Sequence, residues 1–356
     1  MRAAVCGIRE DDHMTMPFSK LRVRTTPALT SISFNAAKID GKGEDADPLL
    51  RVAGSRATIG VFDGLGGSGS MRCGGSEGIR TSAYYAARVA RDSADEFLRT
   101  AAPFPDVTPE ALAAVLVQQL AHDLHAYDSE WGRVGGSRLR STLFRRLPTT
   151  AAIAVVRPKA NTAHATVLWA GDSRCFALSP TAGLQQLTVD HLRTPSDALA
   201  NLTNDSSISN CITADEAFYI DAREFALPTP CIVIAATDGC FGYVATPMHF
   251  EALLLAALME ARSTDEWQST LRDRVARTAA DDASLALVAI GWSSHRALRR
   301  AFADRYRFLQ ETYLHPIDQA DDPGAARATL WGQYRTTYEA LQPDARQPEE
   351  IPCTAT

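Results

Sequence analysis

The chain has 356 residues, of which 46% are hydrophobic and 22% charged, a composition typical of a soluble globular protein with one large domain or two ordinary ones. Its formal net charge is −6, so the sequence carries no basic footprint of nucleic-acid binding. No apolar run approaches the ~20 residues that cross a bilayer, and we expect no membrane-spanning segment.

The N-terminal segment MRAAVCGIREDDHM (1–14) lacks a sustained apolar core after its arginine, so we predict no secretory signal. The cysteines are scattered along the chain and form no Cys-x-x-Cys pair. This pattern is typical of reduced, mostly buried thiols, and together with the missing signal it favours a cytoplasmic protein.

The first half of the chain predicts one strand and two long helices. Residues 1–30 are polar and mixed, which favours an irregular or edge-strand start. ATIGVFDG (57–64) reads as a strand that ends in a turn. Apolar residues at helical spacing predict an amphipathic helix over 76–100. A second long helix begins at Thr108 and Pro109, a capping residue followed by proline at the first helical position.

After residue 148 the pattern changes to short strand-like runs separated by Pro, Gly and Asn. CIVIAATDG (231–239) resembles a buried strand that again ends on Asp-Gly. Helices are predicted over 250–261 and 265–280, and a last strand over 283–292. Because strands and helices are segregated rather than strictly alternating, we predict an α+β layered fold with helices packed outside the sheets.

Residues 293–345 show a purely helical pattern, with a first helix followed by Pro316 and a second one that starts at Asp322-Pro323. We treat this segment as a helical appendage to a domain over 1–292. Its aromatic stripe is predicted to pack against the main body; partner binding is the alternative. The tail over 346–356 is predicted to be disordered.

Several aspartates fall at strand ends or in tight turns: Asp45, Asp63, Asp172, Asp238, Asp281 and Asp282. Each alone is typical of a turn former or a charge at a helix end. Asp63 and Asp238, however, both end an apolar run and precede glycine. In layered folds such positions converge at one end of the sheets, so we expect the carboxylates to meet there.

Carboxylates crowded together repel one another unless a cation holds them. Oxygen ligands without a His or Cys cluster nearby select Mg²⁺ or Mn²⁺. One aspartate that bridges two such ions would create a site where a metal-bound water attacks phosphorus. Gly64, directly after Asp63, permits close backbone approach and offers a carbonyl ligand.

The order of these segments resembles the metal-dependent Ser/Thr protein phosphatases of the type 2C (PPM) family. Six stretches carry the resemblance over roughly residues 30–292: GEDAD (43–47), VFDGLGG (61–67), WAGDSRCFAL (169–178), LTVDH (187–191), IAATDGCFGYV (234–244) and DDASLALVAI (281–290). Any one is weak, but six in the family's order are specific. The resemblance implies a four-layer α-β-β-α sandwich in which two antiparallel sheets are flanked by helices.

The resemblance also implies catalytic and metal-binding residues. Asp63 would bridge two metal ions, and Asp238 and Asp281 would complete the shell of one of them. The Gly64 carbonyl would ligate the other ion. Asp281 is chosen over Asp282 because it holds the place of the family's aspartate, while Asp282 stands where the family usually has asparagine.

Three more acidic residues are implied ligands. Glu44 and Asp45 would bind the ion held by the Gly64 carbonyl, directly or through water. Asp172 would contribute, together with Asp238, to a weaker third site.

Two departures from the family pattern bear on activity. The signature histidine, often proposed as a general acid, is Leu65 here, and leucine cannot donate a proton. The arginine that clamps phosphate is replaced by Asp40. Lys42, or Lys38, is the expected substitute, although lysine lacks the bidentate fork of arginine. His191 is interpreted as a turn stabiliser rather than an acid.

The leading hypothesis is therefore a Mg²⁺- or Mn²⁺-dependent phosphatase acting on phosphoserine or phosphothreonine in proteins of a kinase signalling pathway. The alternative is a catalytically weak family member that serves as a phosphoprotein-binding regulatory module. A third hypothesis is a phosphatase for small phosphate esters.

Overall fold

The computed structural model describes residues 28–100, 107–131, 144–194, 197–202 and 207–344. The predictions for most of the N-terminal start and for the 346–356 tail lie outside these residues. No helix in these ranges is both long and apolar enough to cross a membrane.

The strands form two five-stranded antiparallel sheets and one short hairpin. The first sheet has the order β1-β12-β11-β8-β9, the second β10-β7-β6-β3-β2, and β4 pairs with β5. In chain order the strands are β1 (Leu29–Ala36), β2 (Leu49–Ala53), β3 (Arg56–Val61), β4 (Arg72–Cys73), β5 (Arg80–Thr81), β6 (Ala151–Pro158), β7 (Thr162–Ala170), β8 (Arg174–Ser179), β9 (Gly183–Gln186), β10 (Asp221–Pro228), β11 (Cys231–Ala236) and β12 (Ala283–Ile290).

The helices lie outside the sheets. They are α1 (Ser82–Thr100), α2 (Pro109–Trp131), α3 (Ala198–Asn201), α4 (Asp238–Phe241), α5 (Pro247–Glu260), α6 (Thr264–Thr278), α7 (His295–Leu309), α8 (His315–Asp318) and α9 (Pro323–Tyr338). The predicted start of α2 is confirmed, because the Thr108 hydroxyl accepts from the Ala111 amide at 3.2 Å. The predicted start of α1 is wrong by six residues. Gly78 has a φ of +88° within a turn, which ends any helix begun at residue 76.

Three hydrophobic layers hold these elements together. Small and branched side chains such as Ile59, Val167 and Val233 fill the space between the two sheets. Leu116, Leu120 and their neighbours pack α1 and α2 against the outer face of the second sheet. A third cluster packs α5, α6 and the C-terminal helices against the first sheet. The predicted four-layer α-β-β-α sandwich is confirmed.

The aromatic stripe of the C-terminal segment is buried in this third cluster, as the sequence predicts. Phe302, Trp331, Tyr334 and Tyr338 are at most 4% exposed. Pro316, which follows the first predicted helix, lies within a helical continuation, because the chain runs from α7 through one π-helical turn (Gln310–Leu314) into α8. A π turn shifts the hydrogen-bond pattern at the point where proline lacks an N–H.

The five cysteines within the described residues (Cys73, Cys175, Cys211, Cys231 and Cys240) are buried and free, in agreement with the prediction of buried thiols.

Candidate active site

The strand register brings the acidic segments to one end of the sandwich. In the second sheet, Val61 at the end of β3 and Ala170 at the end of β7 both pair with the start of β6. In the first sheet, Ala236 near the end of β11 pairs with Leu285 near the start of β12. The residues that immediately follow or precede these ends carry the acidic side chains, as the sequence predicts.

Asp63 is buried within this group. Burial raises its pKa well above the usual range of an aspartate, and the charges of Asp45, Asp238 and Asp172 raise it further. Burial raises the pKa of Asp45 to about 7. Burial, followed by the charge of Asp281, raises the pKa of Asp238 to about 6. These mutual effects place the five carboxyls within electrostatic reach of one another.

Two buried carboxylate oxygens in the group have no hydrogen-bond partner in the described part of the chain, Oδ1 of Asp45 and Oδ1 of Asp172. The other oxygen of Asp45 accepts from the Thr237 hydroxyl at 3.0 Å. Burial raises the pKa of Asp172, and Asp238 and Asp190 add to the effect. An unpaired buried oxygen beside further carboxylates is the feature that a bound cation would satisfy.

Glu44 belongs to the loop that joins β1 to β2, and this loop is fastened by Asp282. One Asp282 oxygen accepts from the Lys38 amide at 2.8 Å and the other from the Glu44 amide at 2.6 Å. The Glu44 carboxylate accepts from the Thr81 hydroxyl at 2.5 Å. Asp281 is exposed and lies close enough to raise the pKa of Asp238. The two adjacent aspartates therefore have different surroundings.

Gly64 follows Asp63 where the chain passes between two backbone segments. A Cβ there would lie 2.7 Å from the Ala83 carbonyl oxygen and 2.8 Å from that of Glu44, so only glycine fits. Gly64 forms an isolated antiparallel β-bridge with Thr149. In this bridge the Thr150 amide donates to the Asp63 carbonyl and the Leu65 amide donates to the Pro148 carbonyl. The Gly64 carbonyl itself takes no part in that pairing.

The turn that carries Asp172 is fixed by His191, which is 6% exposed. The His191 Nδ1 accepts from the Gly171 amide at 3.2 Å and lies 2.8 Å from the Asn210 side-chain nitrogen. Its Nε2 lies 3.0 Å from Asp221 and therefore carries the proton. The interpretation of His191 as a turn stabiliser agrees with these bonds.

Two residues near the site, Thr237 and Arg80, were not predicted from the sequence. The Thr237 hydroxyl joins the end of the first sheet to the loop between β1 and β2, since it donates to Asp45 and accepts from the Ser284 amide at 2.9 Å. Arg80 donates to the Gly41 carbonyl at 2.8 Å, on the loop that carries exposed Lys42. Thr237 could have been found from its place directly before Asp238. Arg80 could not, because it lies far along the chain from the loop to which it is bonded.

The donor set suits a hard divalent cation, because it consists of carboxylate and carbonyl oxygens. In the described ranges, no set of three or more His, Cys, Asp or Glu side chains is arranged as a ready-made metal site. The carboxyls instead interact among themselves, as Asp63 does with Asp45 and Asp238. A divalent ion would offset the repulsion between these carboxyls, and for this reason the chemistry of the residues fits such an ion.

The raised pKa values give a direct expectation for the stability of the metal-free protein. Asp45 has a pKa of about 7 when folded against a usual 3.8, so the folded state holds its proton over this range while the unfolded state does not. Stability is greatest below pH 4 for this group and falls as the pH rises to 7, by up to about 1.4 kcal/mol per pH unit.

Urea unfolding of chelator-treated protein at pH 5 and pH 7 tests this expectation, with Asp45→Asn as the comparison. The wild type should lose more stability than the variant between the two pH values. Equal losses in the two proteins would contradict it.

No family model matches the sequence, and no curated protein matches it. Solved structures do match. A variant of a bacterial serine phosphatase superposes with a TM-score of 0.52 at 13% identity, over 74% of this chain and 98% of that one. The Mycobacterium tuberculosis serine/threonine phosphatase PstP/Ppp gives 0.50 at 14%, over 74% and 99%. The serine/threonine phosphatase Stp1 from Staphylococcus aureus gives 0.50 at 16%, over 79% and 99%.

At these identities the similarity establishes the fold. The chain has the fold of the bacterial PPM-type serine/threonine phosphatases, as the six sequence motifs predicted. In this fold the interacting carboxyls lie at one end of the sandwich; we refer to Asp45, Asp63, Asp172, Asp238 and Asp281 as the acidic group.

Proposed function

We propose that the protein is a divalent-metal-dependent phosphatase that hydrolyses phosphoserine and phosphothreonine in proteins. The observation that carries the proposal is the convergence of carboxyls around Asp63, with buried oxygens of Asp45 and Asp172 left without partners. Solved phosphatases of the same fold support the reaction class. The substrate protein would come from a Ser/Thr kinase pathway.

The metal-holding residues in this proposal are Glu44, Asp45, Asp63, Gly64, Asp172, Asp238 and Asp281. Asp63 is proposed as the bridging ligand, and the charges of Asp45, Asp238 and Asp172, which all act on it, support this role. Mn²⁺ or Mg²⁺ ions held there would lower the pKa of a water molecule and offset charge on the phosphoryl oxygens. Asp63, Asp238 and Asp281 are proposed to be catalytic in the sense that they hold these ions.

The phosphate group needs a cation beyond the acidic centre. Lys42, two residues before Glu44, is proposed for this role and is exposed. Arg80 donates to the backbone of Gly41, next to Lys42, and so adds a guanidinium at the same loop. Leu65 supplies no proton, so protonation of the leaving group falls to water, and slow turnover of poor leaving groups is expected.

Hydrolysis of p-nitrophenyl phosphate in the presence of Mn²⁺ is the first test. A phosphopeptide panel compared with a panel of phosphorylated metabolites then separates a protein phosphatase from a phosphatase for small esters. Metal-dependent turnover with preference for phosphopeptides supports the proposal. Absence of turnover with Mn²⁺ or Mg²⁺ would contradict it.

The second candidate function is a catalytically weak member that binds phosphoproteins. Leu65 and Asp40 favour it, because they stand where the family's proton donor and phosphate clamp are expected. The acidic group around Asp63 argues for the enzyme. Phosphopeptide binding without metal-dependent turnover would favour this second function.

The two adjacent aspartates give a matched pair of variants. Both Asp282 oxygens accept amides of the loop before β2, whereas the charge of Asp281, whose Oδ1 accepts from the Asp282 amide at 2.8 Å, acts on Asp238. We expect Asp281→Asn to lower metal-dependent kcat/KM by about a hundredfold, in the range that loss of several kcal/mol of metal-mediated stabilisation allows. Asp282→Asn keeps one accepting oxygen and should cost less than about tenfold. The reverse ranking in steady-state kinetics would assign the ligand to Asp282.

A further inference from the structure

Arg174 connects the acidic site to the C-terminal helices. It lies two residues after Asp172 and is 3% exposed. Its Nε and Nη2 donate to the two oxygens of Asp190 at 2.9 and 2.6 Å. Its guanidinium carbon lies 4.4 Å from the ring centre of Phe241, three residues after Asp238. One side chain therefore touches the segments that carry two of the acidic residues.

Tyr338, in the last turn of α9, lies within electrostatic reach of the same guanidinium. Its hydroxyl donates to Oε1 of Gln186 at 3.0 Å. Gln186 and Gln342 both donate from Nε2 to the Thr188 carbonyl, at 2.8 and 3.2 Å. The end of the appendage is thus bonded to the strand segment that leads to Asp190.

We propose that the C-terminal helix α9 is a positioning element of the acidic site: Tyr338 fixes the segment 186–190, Asp190 in that segment fixes Arg174, and Arg174 fixes the turn that carries Asp172. The inference rests on the proposed metal-dependent function. Tyr338 is a positioning residue, because its hydroxyl donates to Gln186 rather than to an acidic side chain of the site.

The physical reason is that the Tyr338 hydroxyl helps to prevent the Arg174 guanidinium from turning toward Asp172. A buried guanidinium that loses its fixed partners can turn toward another buried acceptor that is still unpaired, because an unsatisfied buried polar group is costly. Oδ1 of Asp172 is buried and has no partner in the described residues. A guanidinium turned toward that oxygen would take a ligand that the proposed metal site needs. The two bonds to Asp190, on the segment that Tyr338 holds through Gln186, keep the guanidinium away from it.

Tyr338→Phe tests the proposal, with Mn²⁺ affinity measured by calorimetry without substrate. We expect binding to weaken by about tenfold, the low end of what loss of a partner supporting a metal ligand costs. Gln186→Leu removes the acceptor of the same hydroxyl and should act in the same direction. The matched control is Tyr334→Phe, on the same helix and equally buried, whose hydroxyl donates to Glu251 at 2.5 Å. It should lower the melting temperature but keep Mn²⁺ affinity within about twofold.

A double-mutant cycle shows whether Tyr338 acts through Arg174. In an Arg174→Lys background, Tyr338→Phe should have no further effect on Mn²⁺ affinity. Equal effects in both backgrounds, or unchanged affinity in Tyr338→Phe, would overturn the inference. A wild type that binds no Mn²⁺ and shows no turnover would instead overturn the proposed function, so the two failures are distinguishable.

Discussion

Asp63→Asn is expected to reduce metal-dependent phosphatase activity by at least about a thousandfold, the equivalent of about 4 kcal/mol of transition-state stabilisation. Asp63 is buried within the acidic group, and the charges of Asp45, Asp238 and Asp172 all act on it. The amide keeps the shape of the side chain but carries no charge to hold two cations.

The same substitution should stabilise the metal-free protein. Burial, and then repulsion from neighbouring carboxyls, raise the pKa of Asp63, and a neutral amide is free of both costs of the charged form. The melting temperature of chelator-treated Asp63→Asn should therefore exceed that of the wild type at pH 7. Asp47→Asn is the matched control, because Asp47 belongs to the same GEDAD stretch and is exposed. Wild-type activity in Asp63→Asn would contradict the proposed function.

The second large effect concerns the appendage. Glu251 in α5 is fully buried and accepts from Arg305 Nε at 2.6 Å, from Arg305 Nη2 at 2.8 Å and from the Tyr334 hydroxyl. Arg305→Met leaves a buried carboxylate without its cation. We expect a loss of about 3–5 kcal/mol in the free energy of unfolding, because removing one partner of a buried pair leaves the other charge uncompensated.

Urea unfolding at pH 7 measures this loss. Arg307→Met is the control, since the Arg307 side chain is 65% exposed and its pair with Asp304 contributes little. Arg305→Met combined with Glu251→Leu should recover part of the stability, because an apolar side chain tolerates the buried position that an unpaired carboxylate does not. A single variant as stable as the wild type would show that the ion pair does not hold the appendage.

The sequence predicted the layered fold because its local signals agree with the tertiary structure. Apolar strands that end on Asp-Gly at 61–64 and 234–239 mark the strand ends at which the acidic side chains meet. The cap at Thr108 gave the start of α2. Local signals of this kind can be interpreted without knowing which distant residues the segment contacts.

The supports of the site could not be predicted, because each joins residues far apart in the chain. Asp282 accepts a hydrogen bond from the amide of Glu44, which lies 238 residues away in the chain. Tyr338 donates to Gln186 across 152 residues. Such pairings arise from the packing of sheets and helices, and no local propensity encodes them. The assignment of metal ligands likewise remains a prediction.

A crystal structure of the protein soaked with Mn²⁺ tests the central claim most directly. We predict two ions at the end of the sandwich, about 3.5–4 Å apart as in two-metal sites, with the Asp63 carboxylate shared between them. Ions bound elsewhere, or a site in which Asp63 contacts no ion, would contradict it.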